Sequence, residues 1–270
     1  MLSNIARWWR VLCRSPAVRL AAPQAGLYVA IAAALVAVVA SMLLLDAAAS
    51  SWARGLPRWF IDLFERITDF GLSGWFLFPF GFVLLFLAAV TSPALSHSAR
   101  AVLAMLTVRF GFLFLAIALP GLFVTLVKGL IGRARPYVGG HDDPFLYMPL
   151  VWKPEYASMP SGHSVTAASV VIAFGAIWPR TRGICWIYAL LIMFSRVVVN
   201  AHHPSDVIAG ALVGTVGAEL TRRWFASRRL LFSPLDRRAF AWPRFDRVAA
   251  ALRESLFGRK PVEKPRIPPS

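Results

Sequence analysis

Acidic residues and cysteine are the two shortages that narrow what this sequence encodes. Only 13 Asp and Glu stand among 270 residues, against 29 Lys and Arg, and charged residues of both signs make up 16%. That is too little charge to solvate a chain that is 58% hydrophobic, so an ordinary soluble domain is excluded and an integral membrane protein is indicated. The two cysteines, Cys13 and Cys185, lie 172 positions apart, which offers neither a disulfide framework nor the spacing of metal ligands. Histidine is scarce too: there are five, and two of them adjoin in Asn200-Ala-His-His-Pro-Ser-Asp206.

What is present in excess is apolar runs and positive charge. A formal charge of +16 spread over a soluble surface would suggest nucleic acid, but these cations cluster between and after the apolar runs. That placement points to membrane topology and to anionic lipid, not to nucleic acid as a partner. Six spans are expected, at residues 26–45, 75–90, 110–127, 164–178, 184–194 and 207–220, giving an all-α polytopic bundle. The first run has 20 residues, long for a signal sequence, and is read as an uncleaved span although Ala47-Ala48-Ala49 imitates a cleavage site. The chain divides into a basic arm at 1–25, a six-span core at 26–220 and a basic tail at 221–270, where 13 cations face 4 acids. Within that tail a short helix is expected from Val248 to Phe257, and the terminal KPVEKPRIPPS reads as disordered.

With six spans the arm, Arg100 and Arg109, Arg180 and Arg182, and the tail all fall on one side, which the positive-inside rule makes cytoplasmic together with both termini. Residues 57–70, PRWFIDLFERITDF, put Trp59, Phe60, Leu63, Phe64 and Ile67 on one helical face. This fits a helix lying in the outer interface beside a lipid entry route, or equally one packed on the spans. Arg109 is expected to snorkel at the inner end of its span, and Trp75, Trp152 and Tyr156 to be interface aromatics. His97 falls on the cytoplasmic side, away from the other polar clusters. His141-Asp142-Asp143 reads as a polar loop, since no further metal ligand lies at recognisable spacing.

Three polar clusters sit at span ends. Lys128 and Arg135 close the third span, seven positions or two helical turns apart, and would share a face if the helix continues that far. Pro160-Ser161-Gly162-His163 opens the fourth, where backbone N–H groups at Ser161 and Gly162 favour an anion. Ser195-Arg196, His202 and Asp206 bridge the fifth and sixth. Chain parity brings all three to the outer face. Each cluster alone has a bland reading, a snorkelling cation, a helix start or an interfacial histidine; their convergence is what makes a site. Asp206 lies four positions after His202 and three after His203, so geometry alone leaves either histidine open as its partner.

Lys128-x6-Arg135-Pro136, Pro160-Ser161-Gly162-His163 and Ser195-Arg196-x5-His202-x3-Asp206 resemble the three signature motifs of the type-2 phosphatidic acid phosphatase superfamily, with eleven identities in order. The resemblance implies a membrane lipid phosphate phosphatase that needs no cofactor and no metal. It implies that Lys128, Arg135, Arg196, Ser161 and Gly162 hold the phosphate, and it selects His202 over His203 as the nucleophile. His202 would be oriented by Asp206, and His163 would serve as proton donor. These residue types suit the chemistry: cations and N–H groups stabilise a phosphoryl group in transfer, and a neutral imidazole attacks it. A bacterial inner membrane is the implied location, with the site facing the periplasm. Candidate substrates are undecaprenyl diphosphate, phosphatidylglycerol phosphate, phosphatidic acid and lipid A phosphates. Two alternatives share these signals: a lipid-to-lipid phosphotransferase using the same site, and a non-catalytic lipid-binding or transport protein.

Overall fold

A computed structural model describes residues 25–139 and 143–233, together with a few scattered positions of the N-terminal arm. Most of that arm, His141 and Asp142, the helix expected over Val248 to Phe257 and the C-terminal stretch lie outside the described residues. Among the described residues the protein is helical, with no strand beyond one isolated bridge between Arg133 and Tyr147.

Each of the six apolar runs forms a helix. Helix α1 (Ala25–Leu44) stops at Leu45 and bends by 57° into α2 (Asp46–Arg54), whose first turn holds Asp46 at the positive end of the helix dipole. Helix α3 (Arg58–Asp69) starts immediately after Pro57, whose fixed φ suits a helix entry. It turns Phe64 and Thr68 inward and leaves Trp59 and Leu63 uncovered. Then follow α4 (Gly74–Val90), α5 (His97–Ile131), α6 (Gly162–Ile177), α7 (Arg182–Val198) and α8 (Pro204–Ser227).

Among the described residues three segments qualify by length and apolarity as membrane-crossing, Arg58–Val90, His97–Ile131 and Pro179–Val198, and the bent α1–α2 pair makes a fourth if it is one broken span. The six-span count expected from sequence is therefore supported for part of the bundle. The two remaining helices differ for physical reasons. Helix α6 has 16 residues, ten of them buried, because it is wrapped by α5, α7 and α8. Its neighbours are helices, so small side chains serve it better than a long apolar surface. Helix α8 has 24 residues but carries Asp206, Glu219, Arg222 and Arg223, polar groups that the core and the helix end accommodate.

Two apolar clusters hold the bundle around α6. One joins Phe112, Leu113 and Ala116 of α5 to Ala173 of α6, Ala218 and Phe225 of α8, and Phe232 beyond it. The other joins Ile117 to Ala167, Val170 and Val171, and to Cys185, Ala189 and Ile192 of α7. Helices α6 and α8 nearly touch: a Cβ on Gly210 would collide with the Ser161 carbonyl oxygen, and one on Gly214 with that of Val165. Only glycine permits this approach, and it brings the starts of the two helices together.

One expectation is overturned here. Arg109 does not reach out of a helix end but is buried, 2% exposed. The reason is that α5 begins at His97, capped by the Ser96 hydroxyl accepting from the Ala99 N–H, so Arg109 falls more than three turns into a 35-residue helix.

Candidate active site

The end of α5, the start of α6, the end of α7 and the start of α8 meet at one end of the bundle. The Ser161 N–H donates to the Asp206 carbonyl at 2.9 Å, and the Arg196 carbonyl accepts from the N–H groups of Ala201 and His202 at 3.1 and 3.2 Å. Lys128 comes in from α5, its Nζ 3.5 Å from where a Cβ on Gly162 would stand. A side chain at Gly162 would crowd that ammonium. Helix α5 itself ends at Gly132, left-handed at φ +63, where the chain turns away toward Met148 and a larger residue would collide.

His202 lies in the short loop between α7 and α8, 3% exposed. Its Nδ1 has no hydrogen-bond partner, and the nearest acid is Asp206 Oδ2 at 3.8 Å, beyond hydrogen-bond length. Burial pushes the imidazole down to about 4, against the attraction of Asp206, so the ring is neutral at pH 7. His203 points elsewhere: its Nδ1 meets the Ser50 hydroxyl at 3.3 Å, and its backbone N–H donates to Asp206 Oδ2 at 2.9 Å. Geometry thus separates the adjacent histidines. One faces the carboxylate with a free nitrogen, and the other caps α8 through its backbone.

Asp206 is fully buried and heavily bonded. Its Oδ1 accepts from Arg133 Nη1 at 2.6 Å; its Oδ2 accepts from the Ser158 hydroxyl at 2.6 Å as well as from His203. Arg196, 7% exposed, donates from Nη1 to the Thr68 hydroxyl of α3 at 2.6 Å, while its Nε has no protein partner. Ser161 is wholly buried, and its hydroxyl is likewise unpartnered. Because the Ser161 N–H is already engaged by Asp206, the anion cradle expected from sequence loses that amide and keeps the hydroxyl as its donor. Arg135 is half-buried, anchored through Nε to the Pro154 carbonyl at 2.9 Å, and its charge acts on Lys128, His163 and Arg196. His163, in the first turn of α6, lies under the electrostatic influence of Arg196, Lys128 and Arg135, and its ring packs on Gly71. Of the aromatics expected at the interface, Trp152 is exposed and covers Gly129 one residue beyond Lys128.

All eight residues singled out from sequence therefore belong to this end of the bundle. Sequence reasoning passed over Arg133, Ser158, Ser205 and Asp46. Arg133 lies inside the gap between Lys128 and Arg135 and reads there as one more loop cation; nothing in the neighbourhood of Asp46 marks it.

A neutral imidazole facing a carboxylate, a second histidine and three cations around unpartnered donors can bind and transfer a phosphoryl group. Comparison with known proteins agrees. Residues 109–230 match the PAP2 superfamily. The chain is 36% identical over 212 residues to a lipid A 1-phosphatase of Rhizobium johnstonii, covering 76% of this chain and 85% of that protein, and 35% identical over 212 residues to a lipid A 1-phosphatase of Rhizobium etli, covering 76% and 90%. The crystal structure of Aquifex aeolicus LpxE aligns with 25% identity over 62% of this chain and 88% of that one, at a TM-score of 0.44. With its motifs assembled at one end of an apolar helical bundle, the chain belongs to the PAP2 superfamily and is a membrane lipid phosphatase.

Proposed function

We propose that this enzyme removes a phosphate from a lipid head group through a phosphohistidine at His202, at the outer face of a bacterial inner membrane. The observation that carries the reading is His202 itself: buried, neutral, its Nδ1 turned to Asp206 and free of any other partner. In the first step Nε2 attacks phosphorus as the bond from phosphorus to the lipid oxygen breaks, and His163 gives that oxygen its proton. As positive charge develops on the imidazole, Nδ1–H draws toward Asp206 Oδ2 and closes the 3.8 Å gap. In the second step His163 takes a proton from water, whose oxygen attacks phosphorus; the P–N bond breaks, and inorganic phosphate and neutral His202 are released.

Lys128, Arg135 and Arg196 stabilise the phosphoryl oxygens, joined by the Ser161 hydroxyl and the Gly162 N–H. A bound phosphate also supplies the negative charge that favours a protonated His163 among these cations. The donor set is sufficient for phosphoryl transfer without a metal in the proposed mechanism.

For the substrate we favour a lipid A type 1-phosphate, on the strength of the relatives matched over most of their length. The uncovered Trp59 and Leu63 of α3, with the exposed Phe70 and Trp75 that follow, suit a helix lying in the outer interface where such a head group is presented. Both termini and the basic tail are then cytoplasmic, with the tail against anionic lipid.

The test is phosphate release by purified enzyme from lipid A 1-phosphate, undecaprenyl diphosphate, phosphatidylglycerol phosphate and phosphatidic acid. Wild type should release free phosphate, fastest from the first, and His202→Ala should release none. Unchanged turnover in His202→Ala would refute the mechanism, and preference for another lipid would refute the substrate.

A further inference from the structure

The most heavily bonded charge near the site is one that the phosphate-binding set does not include. Arg133 is 0% exposed and lies in the loop after α5. Its Nη1 donates to Asp206 Oδ1 at 2.6 Å and to the Ser205 hydroxyl at 2.7 Å. Its Nη2 donates to Asp46 Oδ2 at 2.8 Å and to the Pro144 carbonyl at 2.8 Å, and its Nε donates to the same carbonyl at 3.0 Å. Asp46, also 0% exposed, accepts in addition from the N–H and the hydroxyl of Ser205 and from the Ser41 hydroxyl. The guanidinium is thus a rigid fork between two carboxylates, one opening α2 and the other in the first turn of α8.

We infer that Arg133 and Asp46 are positioning residues for the nucleophile: Arg133 fixes the rotation of the Asp206 carboxylate, Asp46 fixes Arg133, and the bent α1–α2 pair is thereby part of the catalytic frame.

Asp206 has two oxygens with different tasks. Oδ1 is committed to Arg133, which leaves Oδ2 toward His202, with Ser158 and the His203 N–H setting its height. A partial rotation of the carboxylate about its Cβ–Cγ bond would swing Oδ2 away from Nδ1 and leave the imidazole facing no acceptor. Holding it needs a donor that reads orientation as well as charge, and a planar guanidinium does so where an ammonium does not. Ser205 ties the frame together, since its hydroxyl touches both Arg133 and Asp46 while its backbone precedes Asp206. Lone structural ion pairs also occur in buried regions. This one differs because its second carboxylate is the His202 partner itself.

The inference rests on His202 acting as nucleophile, so the experiment carries His202→Ala beside Arg133→Lys and Asp46→Asn. Each protein is purified in detergent, its folded fraction is quantified by gel filtration and thermal unfolding, and kcat and KM for phosphate release are measured per folded molecule, together with the rate of phosphoenzyme formation after rapid mixing. Expected are a kcat loss of about 10- to 100-fold in Arg133→Lys with KM within about threefold, slowed phosphoenzyme formation, and a smaller loss of the same kind in Asp46→Asn. The double variant should lose less than the product of the two single losses, because both act through one carboxylate. Folded Arg133→Lys or Asp46→Asn with wild-type kcat, or a loss confined to KM, would overturn the inference while an inactive His202→Ala left the phosphohistidine reading intact. An active His202→Ala would overturn both. If Arg133→Lys does not fold, the nearly isosteric Asp46→Asn decides by the same criteria.

Discussion

Arg196 and Thr68, 128 positions apart in the chain, are joined by a buried hydrogen bond of 2.6 Å from the guanidinium Nη1 to the threonine hydroxyl. The bond links Arg196 at the end of α7, a cation in the proposed phosphate-binding set, to the inner face of α3, the helix whose other residues are largely uncovered. Thr68→Val keeps the shape and removes the acceptor. Stability should fall by about 1.5–3 kcal/mol, the usual value for a hydrogen bond to a charged group. KM should rise several-fold because Arg196 is then free to leave the phosphate position, while Thr68→Ser should remain close to wild type. Steady-state kinetics of the two variants measure the difference.

Gly71 makes a second contact from the same turn. A Cβ there would stand 2.7 Å from His163 Cδ2 and 2.6 Å from Ile192 Cγ2. Neither neighbour can retreat freely, since Ile192 is 1% exposed in the core and His163 belongs to the first turn of α6. Gly71→Ala should displace the imidazole and cost about 1–3 kcal/mol of stability, as overpacking usually does. The kinetic effect should fall on kcat for substrates with a poor leaving group, which need the proton most. Comparing a lipid phosphate with an aryl phosphate of good leaving group checks this: the aryl substrate should be affected less.

The acid response of His202 follows from its burial. The folded ring titrates at about 4, below the ordinary value of 6.5. Between those two values the unfolded chain binds more protons than the folded one, so stability increases with pH there. The contribution is fully present above 6.5 and is lost as pH falls from 6.5 through 4. Nitrogen chemical shifts of labelled histidine, with His202 assigned by loss of its signal in His202→Gln, should show a midpoint near 4. A midpoint near 6.5 would mean that the ring is solvated in the working enzyme.

Much of this site was legible because its parts are local. The run from Pro160 to His163 opens one helix, and His202 with Asp206 stands at the entry to another, so short spacing brings these groups together. Lys128 and Arg135 do not share a helix face as a continuing helix would have them do: α5 ends at Ile131, the chain turns away at Gly132, and Arg135 reaches the site from the loop. What spacing does not carry is a relation made only when separate elements meet. Asp46 acquires its role when α1 bends, and Arg133 when the loop after α5 folds back under α8; in sequence one is an acid after an apolar run and the other a cation between glycine and alanine. The Ser161 N–H reads as free for an anion until α8 delivers the Asp206 carbonyl to it. Arg109 was misplaced for a simpler reason: the span was bounded at Phe110, just after the charge, whereas the apolar run at 101–108 belongs to the same helix, which begins at His97 under the Ser96 cap. The choice between His202 and His203 came from the motif and has its geometric counterpart in the Ser50 contact of His203.

Close contact between α6 and α8 sets the distance between His163 and His202, the two histidines of the proposed mechanism, and Gly210 sets that contact. A Cβ there would collide with the Ser161 carbonyl oxygen and stand 3.2 Å from the Ser161 nitrogen and 2.9 Å from Ser164 Cβ, so the obstacle is mostly backbone, which cannot rotate aside. Gly210→Val must push the helix starts apart, which stretches the 2.9 Å bond from the Ser161 N–H to the Asp206 carbonyl and separates His163 from His202. Activity should fall by about 100-fold or more, the scale expected when catalytic groups are displaced by about 1 Å. Gly183, in α7, has nothing within 4 Å of its virtual Cβ, and Gly183→Val should leave turnover unchanged. Measuring phosphate release by both variants at equal folded protein separates loss of helix contact from the general cost of valine in a helix. Equal activities would mean that α6 and α8 are not held at this separation during turnover.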